Sequence, residues 1–163
     1  QYLRQLRHEH AVSRRIIGEF DATLATALPD EVQRFLDEEQ ALLRSRADAG
    51  RLVDGHGDLR PEHVWLLATP VVIDCLEFNA ALRQVDPFDE IAFLALECEL
   101  AGAGWIGQRL LAGSRAALGD DPGRELIALY TATRALLRAR LALAHLLDAQ
   151  PREPDRWPPT SAF

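Results

Sequence analysis

Hydrophobic residues recur every three to four positions along most of this chain, a spacing typical of amphipathic helices. The first such stretch covers residues 2–27, and Pro29 is expected to end it. Asp30 then predicts the N-cap of a second helix over residues 30–48. Further helices are expected over residues 87–101, 105–118 and 123–149, the first of them apolar enough to lie deep in the core.

The helical spacing disappears between residues 52 and 78, where glycine, proline and aspartate cluster around two short apolar runs. These runs, 64–67 and 71–73, are separated by a three-residue turn and predict a small β-hairpin. Asp86 followed by Pro87 predicts a helix start, because aspartate is a favourable cap and proline fits the first helical turn. The chain is therefore expected to be mainly α with a small β-hairpin, and its irregular stretch is where function is sought.

Composition and charge indicate the extent of the domain and argue against some classes of binding partner. In a chain of 163 residues that is 48% hydrophobic, we expect a helical domain over 1–149 and a proline-rich tail or linker over 150–163. The net charge of −7 and the lack of lysine argue against a nucleic-acid or anionic-membrane surface. No apolar run approaches the roughly 20 residues that span a bilayer. Cys75 and Cys98, without a signal-like segment, fit a reducing, cytoplasmic setting.

Two aspartates carry the candidate chemistry: Asp58 in the His56-Gly57-Asp58 loop, and Asp74 directly after the apolar run 71–73. Phosphoryl transfer needs one carboxylate to meet the substrate hydroxyl and another to hold the magnesium ion that neutralises the phosphates. Glycines beside Asp58 permit tight turns, and the apolar run fixes the direction of Asp74. The two residues are therefore placed to act as that pair.

Residues 54 to 99 resemble the C-terminal lobe of the aminoglycoside phosphotransferase and choline kinase family, small-molecule relatives of the protein kinases. The catalytic loop of that family reads H-G-D-x-x-x-x-N, and its metal-binding aspartate follows a short hairpin. Two further runs belong to the same match, Asp74-Cys75-Leu76-Glu77-Phe78-Asn79 and Asp86-Pro87-Phe88-Asp89-Glu90-Ile91-Ala92.

The resemblance implies the helical C-terminal lobe of a protein-kinase-like fold, with transfer of the ATP γ-phosphate to the hydroxyl of a small molecule. Asp58 would be the catalytic base, His56 would brace the loop, and Asp74 would hold Mg²⁺. Asp89 would cap its helix or bond to the catalytic-loop backbone.

One position departs from the family pattern, because His63 stands where an asparagine follows Asp58 by five residues. Magnesium prefers oxygen ligands, for which an imidazole nitrogen is a poor substitute. Glu62, Glu77 or Asn79 would then supply the missing oxygen. We expect Glu77 as a further metal ligand, and His63 and Asn79 beside the nucleotide. Use of a single metal ion, or a catalytically inactive binding or scaffold module, are the alternatives.

A larger departure is that the glycine-rich loop and ATP-binding lysine of the family's N-terminal lobe are absent from this sequence. We therefore expect that lobe upstream of Gln1, and expect this fragment alone not to turn over ATP. The proline-rich tail would suit fusion to a downstream P-loop domain. Acidic residues in the cleft would suit a cationic substrate. Arg134, Arg138 and Arg140 are expected to be solvated charges on a helix face.

Overall fold

The computed structural model describes residues 1–21, 23 and 26–147, and these are mainly helical, as predicted. The helices are α1 (Tyr2–Phe20), α2 (Ala27–Glu38), α3 (Gln40–Asp48), α4 (Ala80–Arg83), α5 (Pro87–Leu100), α6 (Gly104–Leu118) and α7 (Arg124–Leu147). The strands are β1 (Val53–Asp54), β2 (Val64–Trp65), β3 (Val71–Val72) and β4 (Gln84–Val85), with a short 3-10 turn over Pro61–His63. The tail expected over 150–163 lies outside the described residues. Throughout the described part, no helix has both the length and the apolar character needed to cross a bilayer.

Helix α5 lies at the centre of the core, as its apolar sequence predicted. It packs between α6 and α7, and α7 packs in turn on α1. Phe88 and Tyr130 are fully buried at these contacts. The backbones of α5 and α6 approach closely, since a Cβ added to Gly107 would lie 2.8 Å from the Cβ of Ala95. The small residues at this crossing therefore set the position of α5, the helix against which the candidate loop packs.

The start of α5 confirms the local prediction. The Asp86 side chain accepts a hydrogen bond from the backbone N–H of Phe88 at 3.0 Å, and Pro87 occupies the first turn. Its carboxylate is buried, accepts a hydrogen bond from the Tyr130 hydroxyl at 3.0 Å and forms an ion pair with Arg46. The cap therefore also joins α5 to α7 and α3.

Arg46 extends this buried network to Asp120, whose carboxylate lies 2.8 Å from the guanidinium. Burial disfavours the charge on Arg46, but hydrogen bonds from its guanidinium to Asp86 and Asp120 outweigh that penalty and raise its pKa. The same hydrogen bond from Arg46 lowers the pKa of Asp120.

The end of the first helix was predicted too late. Helix α1 ends at Phe20, and Asp21 is extended, with φ −149°. The Asp21 side chain accepts the backbone N–H of Thr23 at 2.7 Å, an Asx-type bond that competes with continuation of the helix.

The prediction for the second helix was also wrong in detail. Pro29 lies within the first turn of α2, where the backbone N–H has no helical partner and proline is tolerated. Asp30 is likewise inside the helix rather than its cap, and it pairs with Arg14 at 2.7 Å. Glu39, with φ −95° and ψ 15°, separates α2 from α3 within the single helix expected to reach residue 48.

The predicted hairpin is present as the antiparallel pair β2–β3, in which Val64 lies opposite Val72. A second antiparallel pair, β1–β4, was not predicted. Strand β1 enters the candidate loop and β4 leads directly into α5. Their pairing therefore brings the loop onto the N-terminal end of the central helix.

Candidate functional site

The loop around His56 is held by Glu90, on the first turns of α5. The Glu90 carboxylate accepts the backbone N–H of His56 at 2.9 Å and also that of Gly57. Glu90 is only 7% exposed, so both bonds form away from water. Gly55 leaves room for this carboxylate, because a Cβ at that position would lie 2.5 Å from Glu90 Oε2.

Gly57 is required for two reasons. Its φ of +87° is in the left-handed region that favours glycine. An added Cβ would also lie 2.8 Å from Cδ1 of Leu76. Gly55 thus lets the loop approach α5, and Gly57 lets it approach the segment that follows the hairpin.

Arg134 of α7 supports the same loop from another side. Its guanidinium donates to the Gly57 carbonyl at 3.2 Å and forms a bidentate pair with Asp89, at 2.7 and 3.1 Å. Burial disfavours the charge on Arg134, but the adjacent Asp89 carboxylate outweighs this and raises its pKa. Tyr2 also donates to Asp89, at 3.0 Å.

These contacts correct two expectations. Arg134 is largely covered rather than solvated, with its side chain 11% exposed, and Arg140 is also largely covered, paired with Glu9 at 2.8 Å. Asp89 neither caps its helix nor bonds to the loop backbone. The backbone bonds come from Glu90, and Asp89 acts on the loop only through Arg134.

His56 joins the loop to the segment that precedes Asp74. Its Nε2 lies 2.7 Å from the Ile73 carbonyl oxygen, and its Nδ1 lies 3.3 Å from the backbone nitrogen of Asp58. A carbonyl oxygen can only accept, so the bonding assigns the proton to Nε2. The Leu76 N–H also donates to the His56 carbonyl, at 3.0 Å. The His56 ring therefore braces the loop. It is not among the residues that line the open cleft.

His63 is stacked on His56, with ring centroids 5.2 Å apart and planes at 20°. Its Nδ1 donates to the backbone carbonyl of Asp58 at 2.9 Å. Its Nε2 lies 3.4 Å from Oδ2 of Asp74. His63 thus connects the two candidate aspartates, one through the backbone and the other through the side chain.

An open cleft of about 980 Å³ contains most of the predicted site residues. The predicted residues on its walls are Asp58, His63, Asp74 and Glu77, together with Glu62. The side chain of Asp74 is 78% exposed, and its φ of +63° is uncommon for a residue other than glycine. Asn79 is not brought to this cleft. Its side chain caps α4 by accepting the Ala81 N–H at 3.0 Å.

A second cavity, of about 380 Å³, lies between α1, α7 and the α4–β4 segment. Its walls are mainly apolar and include Leu6, Leu82, Val85, Leu137 and Leu141. The carboxylates on these walls are compensated, Glu9 by Arg140 and Asp89 by Arg134. Asp58 lines this pocket as well as the open cleft, as do Leu76 and Phe78, so these three residues lie between the two cavities.

Arg60 was not predicted as a site residue, because lysine alone was considered as a phosphate-binding cation. The Arg60 guanidinium lies 3.2 Å from the Asp58 carboxylate and 2.9 Å from that of Glu62. Its Nη2 is also 3.4 Å from Nε2 of His63. A cation is therefore present beside the candidate base. The position of Arg60, two residues after Asp58, was the signal that could have revealed it.

Within the described ranges, no three or more His, Cys, Asp or Glu side chains come together as a metal site. Nε2 of His63 and Oδ2 of Asp74, 3.4 Å apart, form a histidine–carboxylate pair in the open cleft. Both cysteines are free, with Cys75 exposed and Cys98 buried.

Comparison with known proteins finds relatives in mycobacteria. Uncharacterized protein Mb2027c of Mycobacterium bovis and Uncharacterized protein Rv2004c of Mycobacterium tuberculosis are each 35% identical to this chain over 121 residues, or 74% of its length. The alignment covers 24% of each relative, so the chain spans about a quarter of the length of the curated relatives it matches. No family model and no solved structure matches the chain. The geometry of the site must therefore carry the functional assignment.

Proposed function

We propose that this chain is the C-terminal, helical lobe of a protein-kinase-like phosphotransferase that moves the ATP γ-phosphate to a hydroxyl of a small molecule. The observation that carries the proposal is that Asp58 lines two cavities. One cavity is an apolar pocket suited to the body of a substrate. The other is an open, acidic cleft that also contains Asp74.

In this proposal the substrate lies in the apolar pocket with its hydroxyl at Asp58. The hydroxyl oxygen forms a bond to the γ-phosphorus, the bond from that phosphorus to the bridging oxygen breaks, and ADP leaves. Asp58 accepts the hydroxyl proton as the new bond forms. Arg60, held beside Asp58, supplies positive charge near the transferred phosphoryl group. Glu90 positions the loop by accepting the backbone N–H groups of His56 and Gly57.

The residues of the cleft fit a divalent cation. Asp74 presents an exposed carboxylate, and Glu77 lies on the same cleft. Mg²⁺ usually keeps several waters and takes only one or two carboxylates together with substrate phosphates, so a full cluster of protein ligands is not required. The ion, when bound, would neutralise charge on the phosphates.

Exposed apolar side chains on the hairpin and in the segment that follows it support a further lobe closing over the cleft. Trp65 is 55%, Leu66 85% and Phe78 81% exposed, although all three are large and hydrophobic. Such a patch is typical of an interaction surface. We propose that it meets the nucleotide base and a nucleotide-binding lobe in the full-length protein, the lobe that would supply the glycine-rich loop and the lysine.

The pocket also bears on the substrate. A cationic substrate, which acidic residues in the cleft would suit, would find the carboxylates Glu9 and Asp89 on the pocket walls already paired with arginines. An alcohol with an apolar body of modest size suits these walls better.

The test is phosphate transfer by the full-length protein from labelled ATP to a panel of apolar and cationic alcohols. Asp58→Asn should reduce kcat at least about a hundredfold, the low end of general-base contributions. Asp48→Asn, an exposed aspartate at the end of α3, serves as the matched control and should retain activity. Undiminished turnover by Asp58→Asn would refute the proposal.

A catalytically inactive binding module is the second candidate. Two observations favour it: Arg60 pairs with the carboxylate proposed as base, and His63 replaces the asparagine of the family pattern. This candidate predicts that the full-length protein binds its small-molecule ligand in the apolar pocket but transfers no phosphate. Metal-dependent transfer that needs Asp58 would exclude it.

A further inference from the structure

We infer that His63 alters the metal preference of the cleft, because its Nε2 and a carboxylate oxygen of Asp74 form a nitrogen–oxygen ligand pair better suited to Mn²⁺ than to Mg²⁺. The inference deepens the proposed function and rests on it in one respect, since the ion would serve phosphates bound in the same cleft. It concerns metal identity and can be tested without nucleotide.

Hydrogen bonding indicates which nitrogen of His63 carries the proton and which carries the lone pair. Nδ1 donates to the Asp58 carbonyl at 2.9 Å, so in the neutral ring the proton is on Nδ1 and the lone pair is on Nε2. A backbone carbonyl bound to one nitrogen is the usual way in which proteins orient a histidine whose other nitrogen binds a metal. Stacking on His56 holds the ring plane in place.

The unprotonated Nε2 of His63 lies next to the second ligand, Asp74. Nε2 of His63 and Oδ2 of Asp74 are 3.4 Å apart, a separation compatible with two neighbouring ligands on one ion at bond lengths of about 2.1 Å. His63 itself is 5% exposed, whereas the Asp74 side chain is 78% exposed to the cleft. An ion can therefore approach from the solvent side, where waters and phosphate oxygens complete its ligand shell.

Arg60 is the competing neighbour, with Nη2 also 3.4 Å from Nε2. Its guanidinium has carboxylate partners at shorter distance, in Asp58 and Glu62, at 3.2 and 2.9 Å. Those pairs hold Arg60 without the imidazole. The ring nitrogen is thus not required for the position of Arg60 and remains a candidate ligand.

The ligand preferences of Mg²⁺ and Mn²⁺ determine which ion the His63–Asp74 pair favours. Mg²⁺ selects oxygen ligands and gains little from an imidazole, whereas first-row transition-metal ions accept an imidazole nitrogen more readily, with Mn²⁺ at the weak end of their affinity order. An asparagine at position 63 would restore an all-oxygen set. The histidine therefore raises affinity for Mn²⁺ relative to Mg²⁺, and this effect is specific to the side chain at that position.

The experiment titrates the chain with Mn²⁺ alone and follows the free-ion signal by electron paramagnetic resonance, with Mg²⁺ as competitor. Pulsed measurements on the bound ion then report nitrogen coordination through the ¹⁴N coupling. The variants are His63→Asn and Asp74→Asn, and His8→Asn, an exposed histidine on α1, is the matched control. Circular dichroism verifies that each variant is folded.

The expected result is ¹⁴N coupling in the wild type and in His8→Asn, with loss of coupling and about tenfold weaker Mn²⁺ binding in His63→Asn. Mg²⁺ should compete poorly until His63 is replaced. Equal affinity for the two ions, or the absence of ¹⁴N coupling with bound Mn²⁺, would overturn the inference and leave the phosphotransferase proposal with Mg²⁺. Coupling that depends on His63, in a full-length protein that transfers no phosphate, would instead defeat the proposed function and retain the metal site.

Discussion

Replacing Glu90 with alanine removes the acceptor for two buried backbone donors, the N–H groups of His56 and Gly57. Leaving a buried donor unsatisfied costs about 1–3 kcal/mol each, so we expect the free energy of unfolding to fall by about 3 kcal/mol. For a chain of this size, 1 kcal/mol changes Tm by about 2–4 °C, which gives a decrease of roughly 6–12 °C. Thermal unfolding followed by circular dichroism measures this change.

The matched control is Glu99→Ala, which removes an exposed carboxylate from the other end of α5 and should alter stability by less than about 0.5 kcal/mol. Amide hydrogen exchange gives a second, local readout, because His56 and Gly57 should lose protection in Glu90→Ala only. If Glu90→Ala unfolds like Glu99→Ala and both amides remain protected, the account of the loop is refuted.

Two further predictions concern backbone and pH. Gly57→Ala should destabilise the chain by at least about 1–2 kcal/mol, because Gly57 has a positive φ and an added Cβ would meet Leu76. Gly113→Ala, in open space within α6, should instead stabilise it by about 0.5–1 kcal/mol. Urea unfolding measures both changes, and equal effects of the two substitutions would contradict the prediction. The hydrogen bond from Arg46 lowers the pKa of Asp120, so its stabilisation is present above the unfolded-state pKa of about 3.9 and is lost as pH falls through the lower folded pKa. Asp120→Asn should therefore be less stable at neutral pH and lose less stability below about pH 4, as unfolding free energies against pH would show; an acid limb as steep as that of the wild type would count against it.

Features encoded within a few residues could be predicted from the sequence. The Asp86 cap with Pro87 is an example, because the side chain bonds a backbone N–H only two residues away. The β2–β3 hairpin is another, since its two apolar runs are separated by a short polar turn. The end of α1 was missed, although its cause is also local, because the Asx bond of Asp21 overrides a continuing hydrophobic period.

The supports of the candidate loop could not be predicted, because they join distant parts of the chain. Glu90 contacts backbone 34 positions away, and Arg134 reaches a carbonyl 77 positions away. From its sequence, Arg134 is indistinguishable from a solvated charge on a helix face. The pairing of β1 with β4 joins strands of two residues each, which are too short for any alternation to reveal them. Asn79, expected beside the nucleotide, lies away from the cleft for a local reason, since its side-chain oxygen caps α4.

Calorimetry of ATP binding to the full-length protein, with and without a divalent metal ion, tests most directly whether Asp58 and Asp74 divide one active site between them. The account predicts binding that is strengthened by the metal ion, loss of that dependence in Asp74→Asn, and its retention in Asp58→Asn, because only Asp74 is assigned to the ion. Nucleotide binding indifferent to metal, or equally altered by both substitutions, would contradict it.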